Sequence, residues 1–332
     1  PTHVCARMTP TSDKITTLAA AVDRFVADGA HITIGGVTIN RNPMAAVYEI
    51  IRQRKRHLHL YAHSNGQGVD ELIGAGCVAR LEIAYAGSGR FAPTCIRFRK
   101  AVESGQLSVE DYSNYQMTLR FMAGAMGMPF LPTRSSLGTD IIARWGFSPE
   151  MRQAQPKIPD LKLAVLDNPF GHWADTRKVV LVPAINPDVT IVHVQQADAQ
   201  GNARMRGLTF ADVEQVKAAR HVIVTCETLV DEERLRLDPD QNQIPFFMVD
   251  AVVPVLLGAY PTACYGHYDY DPVYLNRYRR AAGDDQRYHR YLSERILETA
   301  DHAALLAQID PAQLEAIQAD PRTGYAVGLD RR

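Results

Sequence analysis

Apolar residues recur along this chain with two periods, one helical and one strand-like. Leu18, Val22, Phe25 and Val26 share one helical face, and Gly29 is a natural stop behind them. Residues 32–34 then read as a short apolar strand closed by Gly35 and Gly36. Asn42-Pro43 predicts the next helix start, with Asn as cap and Pro at the first helical position, where its missing N–H costs nothing. Ala46, Val47, Ile50 and Ile51 mark that helix's buried face, and Arg52, Arg54, Lys55 and Arg56 close it as a solvated, cationic end. Residues 58–62 predict a strand ending in His63-Ser64-Asn65-Gly66, with Gly66 supplying a positive φ. A short helix over 69–73 follows. Then comes a strand over 78–85 that ends in Gly87-Ser88-Gly89.

Residues 97–103 and 112–126 read as helices, and 129–137 as a connection carrying Arg134-Ser135-Ser136. The Pro-rich, polar stretch 148–160 reads as a linker or excursion. Strands are expected over 178–183, 190–194, 221–225 and 249–257, with a helix over 211–219 between two of them. Strands alternating with helices, with glycines at strand ends, imply an α/β fold. Its centre is an open, mostly parallel sheet with helices on both faces. The expected organisation is an N-terminal arm (1–14), one α/β domain (15–282) and a helical, charged, loosely ending C-terminal extension (283–332). A split near 150–165 is the alternative division.

Composition narrows the chemistry. The 332 residues are 46% hydrophobic and 22% charged, an ordinary globular balance. A net charge of −1 gives no support to a nucleic-acid or anionic-membrane surface. The five cysteines form no Cys-x-x-Cys and make a poor disulfide framework, which fits a cytoplasmic protein. The sequence shows neither a secretory signal pattern nor a run of about 18 apolar residues.

No Gly-x-Gly-x-x-Gly follows a strand, and no P-loop is present. Gly87-Ser88-Gly89 lacks the outer spacing of a nucleophile elbow. His57, His59 and His63 could share a strand face, but no acidic residue lies nearby in sequence to support a metal. They read as edge or surface histidines. His267, Asp269 and Asp271 alternate with tyrosines and read as a structured loop; no metal ligand set is expected. His193, Gln195, Gln196 and Asn202 read as residues that hold a turn. Polar clusters at strand ends are the remaining candidates for binding: Gly35, Gly36, Ser64, Asn65, Gly87, Ser88, Arg134 and Ser135. Hydroxyls, backbone amides and an arginine there could hold a carboxylate. Ordinary loops would use the same residues.

The stretch Asp28-Gly29 through Gly35-Gly36 to Pro43 resembles a signature of class I CoA-transferases. Thr33 interrupts the apolar triplet, Val37 replaces the usual Phe, and Arg41 stands where glycine is common. Segments 107–113 (LSVEDYS), 129–132 (PFLP), 167–170 (DNPF), 191–202, 222–227 and 264–271 (CYGHYDYD) resemble the A subunits of glutaconate CoA-transferases within that family. The resemblance spans roughly 15–290.

That resemblance implies an enzyme subunit that moves CoA between carboxylic acids, a short dicarboxylic acid such as glutaconate among them. CoA thioester would be a substrate, with no bound cofactor and no metal. The family's nucleophile is the glutamate of a Ser-Glu-Asn-Gly loop, whose carboxylate attacks the acyl-CoA carbonyl. Here that glutamate is deleted or replaced, because Ser64 is followed directly by Asn65. No catalytic residue is therefore expected in this chain. A homologous B subunit would supply the glutamate within a hetero-oligomer. Two alternatives keep the fold. One is a ring-opening hydrolase or decarboxylase of CoA thioesters, for which Glu110 and Asp111 are the acids to watch. The other is a structural subunit.

Overall fold

A computed structural model describes residues 14–171 and 177–331. All but residue 14 of the expected arm lies outside them. The main sheet contains β1 (His31–Ile34), β2 (Leu58–Asn65), β3 (Val78–Ala86) and β4 (Ser108–Asp111). A second sheet is built from β5 (Phe130–Thr133), β6 (Ala164–Asp167) and β7 (Lys178–Pro183). The chain then returns to the main sheet with β8 (Val189–Ala197), β9 (Ala203–Arg204), β10 (His221–Leu229) and β11 (Ala251–Pro254). The main order is β11-β10-β8-β1-β2-β3-β4, every neighbouring pair parallel, with β9 pairing antiparallel on β8. All four residues of β1 are buried, as a parallel strand covered on both faces must be.

The expected parallel α/β sheet is present, and several boundaries move. The helix after β1 runs Met44–Arg52, and Pro43 rather than Asn42 is its cap. Asn42 is instead drawn sideways: its N–H donates to Thr262 Oγ1 at 3.1 Å, and its Oδ1 accepts from Gly68 N–H at 3.0 Å. It thus caps the neighbouring helix, Gln67–Gly74. The helix expected over 112–126 is Asn114–Ala125, started by a capping box between Ser113 and Gln116. The strand expected over 249–257 shrinks to β11, and the loop from Leu257 is held instead by the Glu227 side chain of β10.

The largest departure is the segment read as connection and linker. Residues 130–133 and 164–167 pair antiparallel on either side of β7. Between them, Pro149–Ala154 is helical, capped by Ser148. Arg152 of that helix is buried and ion-paired with Glu110 of β4. Short strands and a charged anchor carry little periodicity, so composition alone reads as linker.

The C-terminal region is helical: Pro272–Ala282, Asp285–Leu292, His302–Leu306 and Pro311–Ala316. It does not end loosely. Tyr288, Ile296 and Leu305 are fully buried in the same core as β1 and β2. Tyr278 donates to Asp70 and Tyr291 to Glu71, both at 2.8 Å. Beyond the last helix, Ala319 bridges Ala326 and Gln318 bridges Tyr268.

Candidate functional site at the carboxyl edge of the sheet

From β1 the chain builds outward to β2, β3 and β4 on one side, and later to β8, β10 and β11 on the other. The β1/β8 boundary is therefore the topological switch point, where ligands sit in open α/β sheets. The loop after β1 lies there. Gly36 has φ +82°, and a Cβ on it would meet Asn40 O at 2.5 Å, so only glycine fits. Its N–H donates to both Asp212 oxygens, at 2.9 and 3.1 Å, while Gly35 N–H donates to Ile191 O. Arg41 Nη1 lies 2.7 Å from Asp212 Oδ2 and also donates to His193 O. Both members of this ion pair are buried, at 4% and 1% side-chain exposure. Arg41 has φ +50°, in the left-handed region that favours glycine. The two glycine amides are thus already engaged within the chain.

The loop after β2 is latched to its neighbours. Asn65 Nδ2 donates to Gly35 O at 3.2 Å, Asn65 Oδ1 accepts from Val69 N–H, and Asn65 O accepts from Gly87 N–H. Gly66 has φ −124°, so the expected positive φ is absent. It is glycine for a different reason: a Cβ there would lie 2.4 Å from Gly87 O and 2.8 Å from Ser88 Oγ. Ser88 is buried behind it, 3.9 Å from Cys95 Sγ. Ser64 Oγ donates to Asn114 Oδ1 at 2.6 Å, and Ser113 Oγ is 3.2 Å from Ser135 Oγ.

Gly35, Asn65 and Gly87 are therefore bonded in a row, with Gly36 and Ser88 alongside. Ser64 and Ser135 are linked through Ser113 and Asn114. Arg134 is exposed at the lip of a separate groove of about 730 Å³ over the second sheet, beside Phe130, Leu166 and Phe170. Asn114 and Asp212 do not stand out among the strand-end residues. The Ser113-x-x-Gln116 spacing is the signal that points to Ser113 and the helix start beside it.

Between the middle of β8 and the carboxyl half of β10, His193 Nε2 lies 2.8 Å from Glu227 Oε1, and His193 Nδ1 is 2.9 Å from Thr225 Oγ1. Glu227 also accepts from Tyr268 OH, Leu257 N–H and Gly258 N–H. Burial acts to raise the Glu227 carboxyl, but hydrogen bonds from His193, Tyr268 and Leu257 outweigh it and hold the carboxyl below its ordinary value. Cys264 lies within 4.8 Å of this pair, yet burial pushes its thiol well above its ordinary value. With Glu227 held by Tyr268 and two backbone amides as well as by His193, this cluster acts as a fixed internal anchor for the loop after β11.

His193 therefore belongs to a buried, hydrogen-bonded pair with Glu227 rather than a turn. Gln195 does hold a turn, bracketing Arg206 through its N–H and its carbonyl. Asn202 bonds Asp198 and the Phe246 N–H, while Gln196 pairs in the β8 ladder.

The expectation of surface histidines fails for His59. It is fully buried, 2.8 Å from Glu82, an acid delivered by the adjacent strand rather than by nearby sequence. Asp269 accepts from Ala326 N–H and pairs with Arg331, and Asp271 caps Pro272–Ala282, so neither points to a metal. Glu110 is sealed against Arg152 and the Gly146 N–H, and Asp111 pairs with Lys162 at 3.0 Å.

Residues 15–254 match the family described as Coenzyme A transferase. The chain is 37% identical over 318 residues to the A subunit of glutaconate CoA-transferase from Acidaminococcus fermentans, covering 96% of this chain and 98% of that one. It is 32% identical over 300 residues to the A subunit of 3-oxoadipate CoA-transferase from Pseudomonas knackmussii, covering 89% and 98%. The crystal structure of glutaconate coenzyme A-transferase from A. fermentans superposes with a TM-score of 0.91 at 38% identity, over 95% of this chain and 98% of that one. With the switch-point loop and the sheet order both in place, the chain belongs to the coenzyme A transferase family, a family of enzymes.

Proposed function

We propose that this chain is the A subunit of a heteromeric CoA-transferase. Its partner, a B subunit of similar fold, supplies the nucleophilic glutamate. The reaction moves CoA between carboxylic acids, including a short dicarboxylic acid such as glutaconate. CoA thioester enters as substrate.

One observation carries the reading. The carboxyl edge is fully assembled, yet the loop after β2 offers the Ser64 hydroxyl in place of a carboxylate. Asp198, Asp212 and Glu227, buried acids at this edge, are each held by several donors. The attacking carboxylate then has to come from outside the chain. The names of the two relatives support the substrate class. Among the described residues no helix is long and apolar enough to cross a membrane. The four described cysteines are free and buried, which fits a reducing cytoplasm. Of the two acids named for the hydrolase or decarboxylase alternative, Glu110 is locked to Arg152, while Asp111 pairs with Lys162 and stays largely exposed.

The test uses the chain co-expressed with a B subunit that carries Ser-Glu-Asn-Gly. Acyl-CoA without acceptor should leave a glutamyl-CoA thioester on the partner, reducible by borohydride and mapped there by mass. The isolated chain should show no transfer. Release of free CoA or carbon dioxide with no thioester would replace the transferase reading by the hydrolase or decarboxylase one.

A further inference from the structure

A cleft of about 700 Å³ opens in the C-terminal region, beyond the residues 15–254 that match the family, and no residue of the strand-end loops lines it. One side is the outer face of the helix Pro272–Ala282, where Val273, Arg277 and Arg280 follow one another at helical spacing. Arg295, Gln308 and Gln313 continue the lining. Its frame is fixed. Arg295 belongs to a π-helical turn, Ser293–Leu297, in which the Glu298 N–H reaches back five residues to Ser293 O at 2.9 Å. Arg52 holds that turn: its Nε donates to Ile296 O and Thr299 O, both at 3.1 Å. The Arg295 guanidinium is set by Gln308, whose Oε1 accepts from Nη1 at 3.0 Å. Gln313 Nε2 donates to Asp271 Oδ2 at 2.5 Å and so ties the helix Pro311–Ala316 to the start of Pro272–Ala282.

The chain has a net charge of −1, yet three guanidiniums line this one cleft. Among the described residues no carboxylate lies within ion-pair distance of Arg277, Arg280 or Arg295, and neighbouring Asp285 is taken by Arg97 and Lys100. The Arg277 and Arg280 side chains have no hydrogen-bond partner among the described residues either. Asp310 also lines the cleft, but its Oδ1 accepts from the Ala312 N–H as a helix cap. One carboxylate against three guanidiniums leaves an excess of positive charge. Like charges one turn apart oppose a helix, so Arg277 and Arg280 weaken theirs unless an anion meets them. Each guanidinium is a planar fork of donors that fits a phosphate or carboxylate two bonds at a time. Two forks lie on one helix and the third on another, so a single monovalent ion satisfies only part of the set. We propose that this cleft binds a small organic anion carrying at least two phosphate or carboxylate groups, with Arg277 and Arg280 on one group and Arg295 on another. Val273 and Ile309 give its carbon frame an apolar rest. The site stands apart from the transferase reading, because no contact with acyl-CoA enters it.

The test is a calorimetric titration of the full chain, alone and in complex with the B subunit. The probes are pyrophosphate and citrate, with sodium chloride at matched ionic strength as the blank. At least one probe should bind both forms and raise their melting temperature, and sodium chloride should do neither. The tighter of the two tells phosphate from carboxylate. Arg277→Ala and Arg295→Ala should each weaken that binding about ten- to a hundredfold, the usual effect of losing a hydrogen bond to a charged group. Arg277→Lys keeps the charge, loses the fork and should fall between. Arg279→Ala removes the same charge from the same helix outside the cleft and should change affinity far less. An equal loss in Arg279→Ala would reduce the site to a general positive field and overturn it, as would failure of both probes to bind. Binding to the free chain that vanishes in the complex would assign the arginines to the subunit contact instead. Where the complex transfers CoA, Arg277→Ala should leave KM for acyl-CoA unchanged; a rise would hand the cleft to substrate binding. A complex that binds the anion and transfers no CoA fails the transferase reading alone.

Discussion

Two buried glutamates, one on β10 and one on the helix Gln67–Gly74, solve the same electrostatic problem differently. Glu227, at the carboxyl edge, has both oxygens engaged, by His193, Tyr268 and two backbone amides. Glu71, under the C-terminal helices, receives Gln67, Tyr48 and Tyr291 all on Oε1, and its Oε2 has no partner. Burial pushes Glu71 up to about 8, whereas Glu227 is held below its ordinary value. Desolvation acts on both. The number and charge of the donors decide which stays ionised. The edge therefore keeps a fixed charge at neutral pH, while the flank keeps a neutral carboxyl.

The largest test breaks the edge. Glu227→Ala leaves His193, Tyr268 and the loop amides at Leu257 and Gly258 without an acceptor, and breaking a buried pair costs about 3–5 kcal/mol. Urea unfolding should show that loss. A loss under 1 kcal/mol would mean that water replaces the carboxylate, and the contrast with Glu71 would collapse.

Next comes Ser64→Ala in the complex. A substrate carboxylate that loses a charge-assisted donor loses about 1.5–3 kcal/mol, roughly ten- to a hundredfold. Dicarboxylic acid turnover should fall by that factor, while acetate turnover is spared. Asn114→Ala should reproduce part of the effect, since Ser64 Oγ rests on Asn114. Equal losses for both acids would assign Ser64 to loop structure.

The third test reads the flank through pH. The folded chain holds a Glu71 proton that the unfolded chain releases above the ordinary value of 4.5. This contribution is therefore fully present below about pH 4.5 and is lost as pH rises towards 8, at up to about 1.4 kcal/mol per pH unit. Glu71→Gln should flatten that decline in a series of melting temperatures between pH 5 and 8. An unchanged slope would show that Glu71 is ionised. The smallest effect is expected at Thr33 in β1, whose buried hydroxyl has no partner. Thr33→Val should stabilise by about 1 kcal/mol in the same urea assay.

The sequence made the parallel sheet legible because most of its strands carry short apolar runs, and β1, β2 and β3 are followed by glycines. Residues 32–34, 58–62 and 221–225 all fall inside β1, β2 and β10. The second sheet was hidden because Phe130–Thr133 and Ala164–Asp167 are four residues each and half-exposed, too short to show a period. At the site, the strand-end loops could be found from glycines and hydroxyls. Their partners could not, because Asp212 meets Gly36 across 176 residues. Arg41 is the instructive case. It stands where the resemblance implies glycine, and its left-handed backbone is the conformation a glycine would take.

The row of bonds from Gly35 through Asn65 to Gly87 has a consequence for assembly. Three successive strand ends are tied to one another before any partner arrives, so the face a partner would meet is already set. Little chain ordering remains to be done on contact, and the encounter should be close to rigid-body docking. Assembly rates should then follow diffusion and surface charge, falling modestly with salt and lacking a slow, concentration-independent phase.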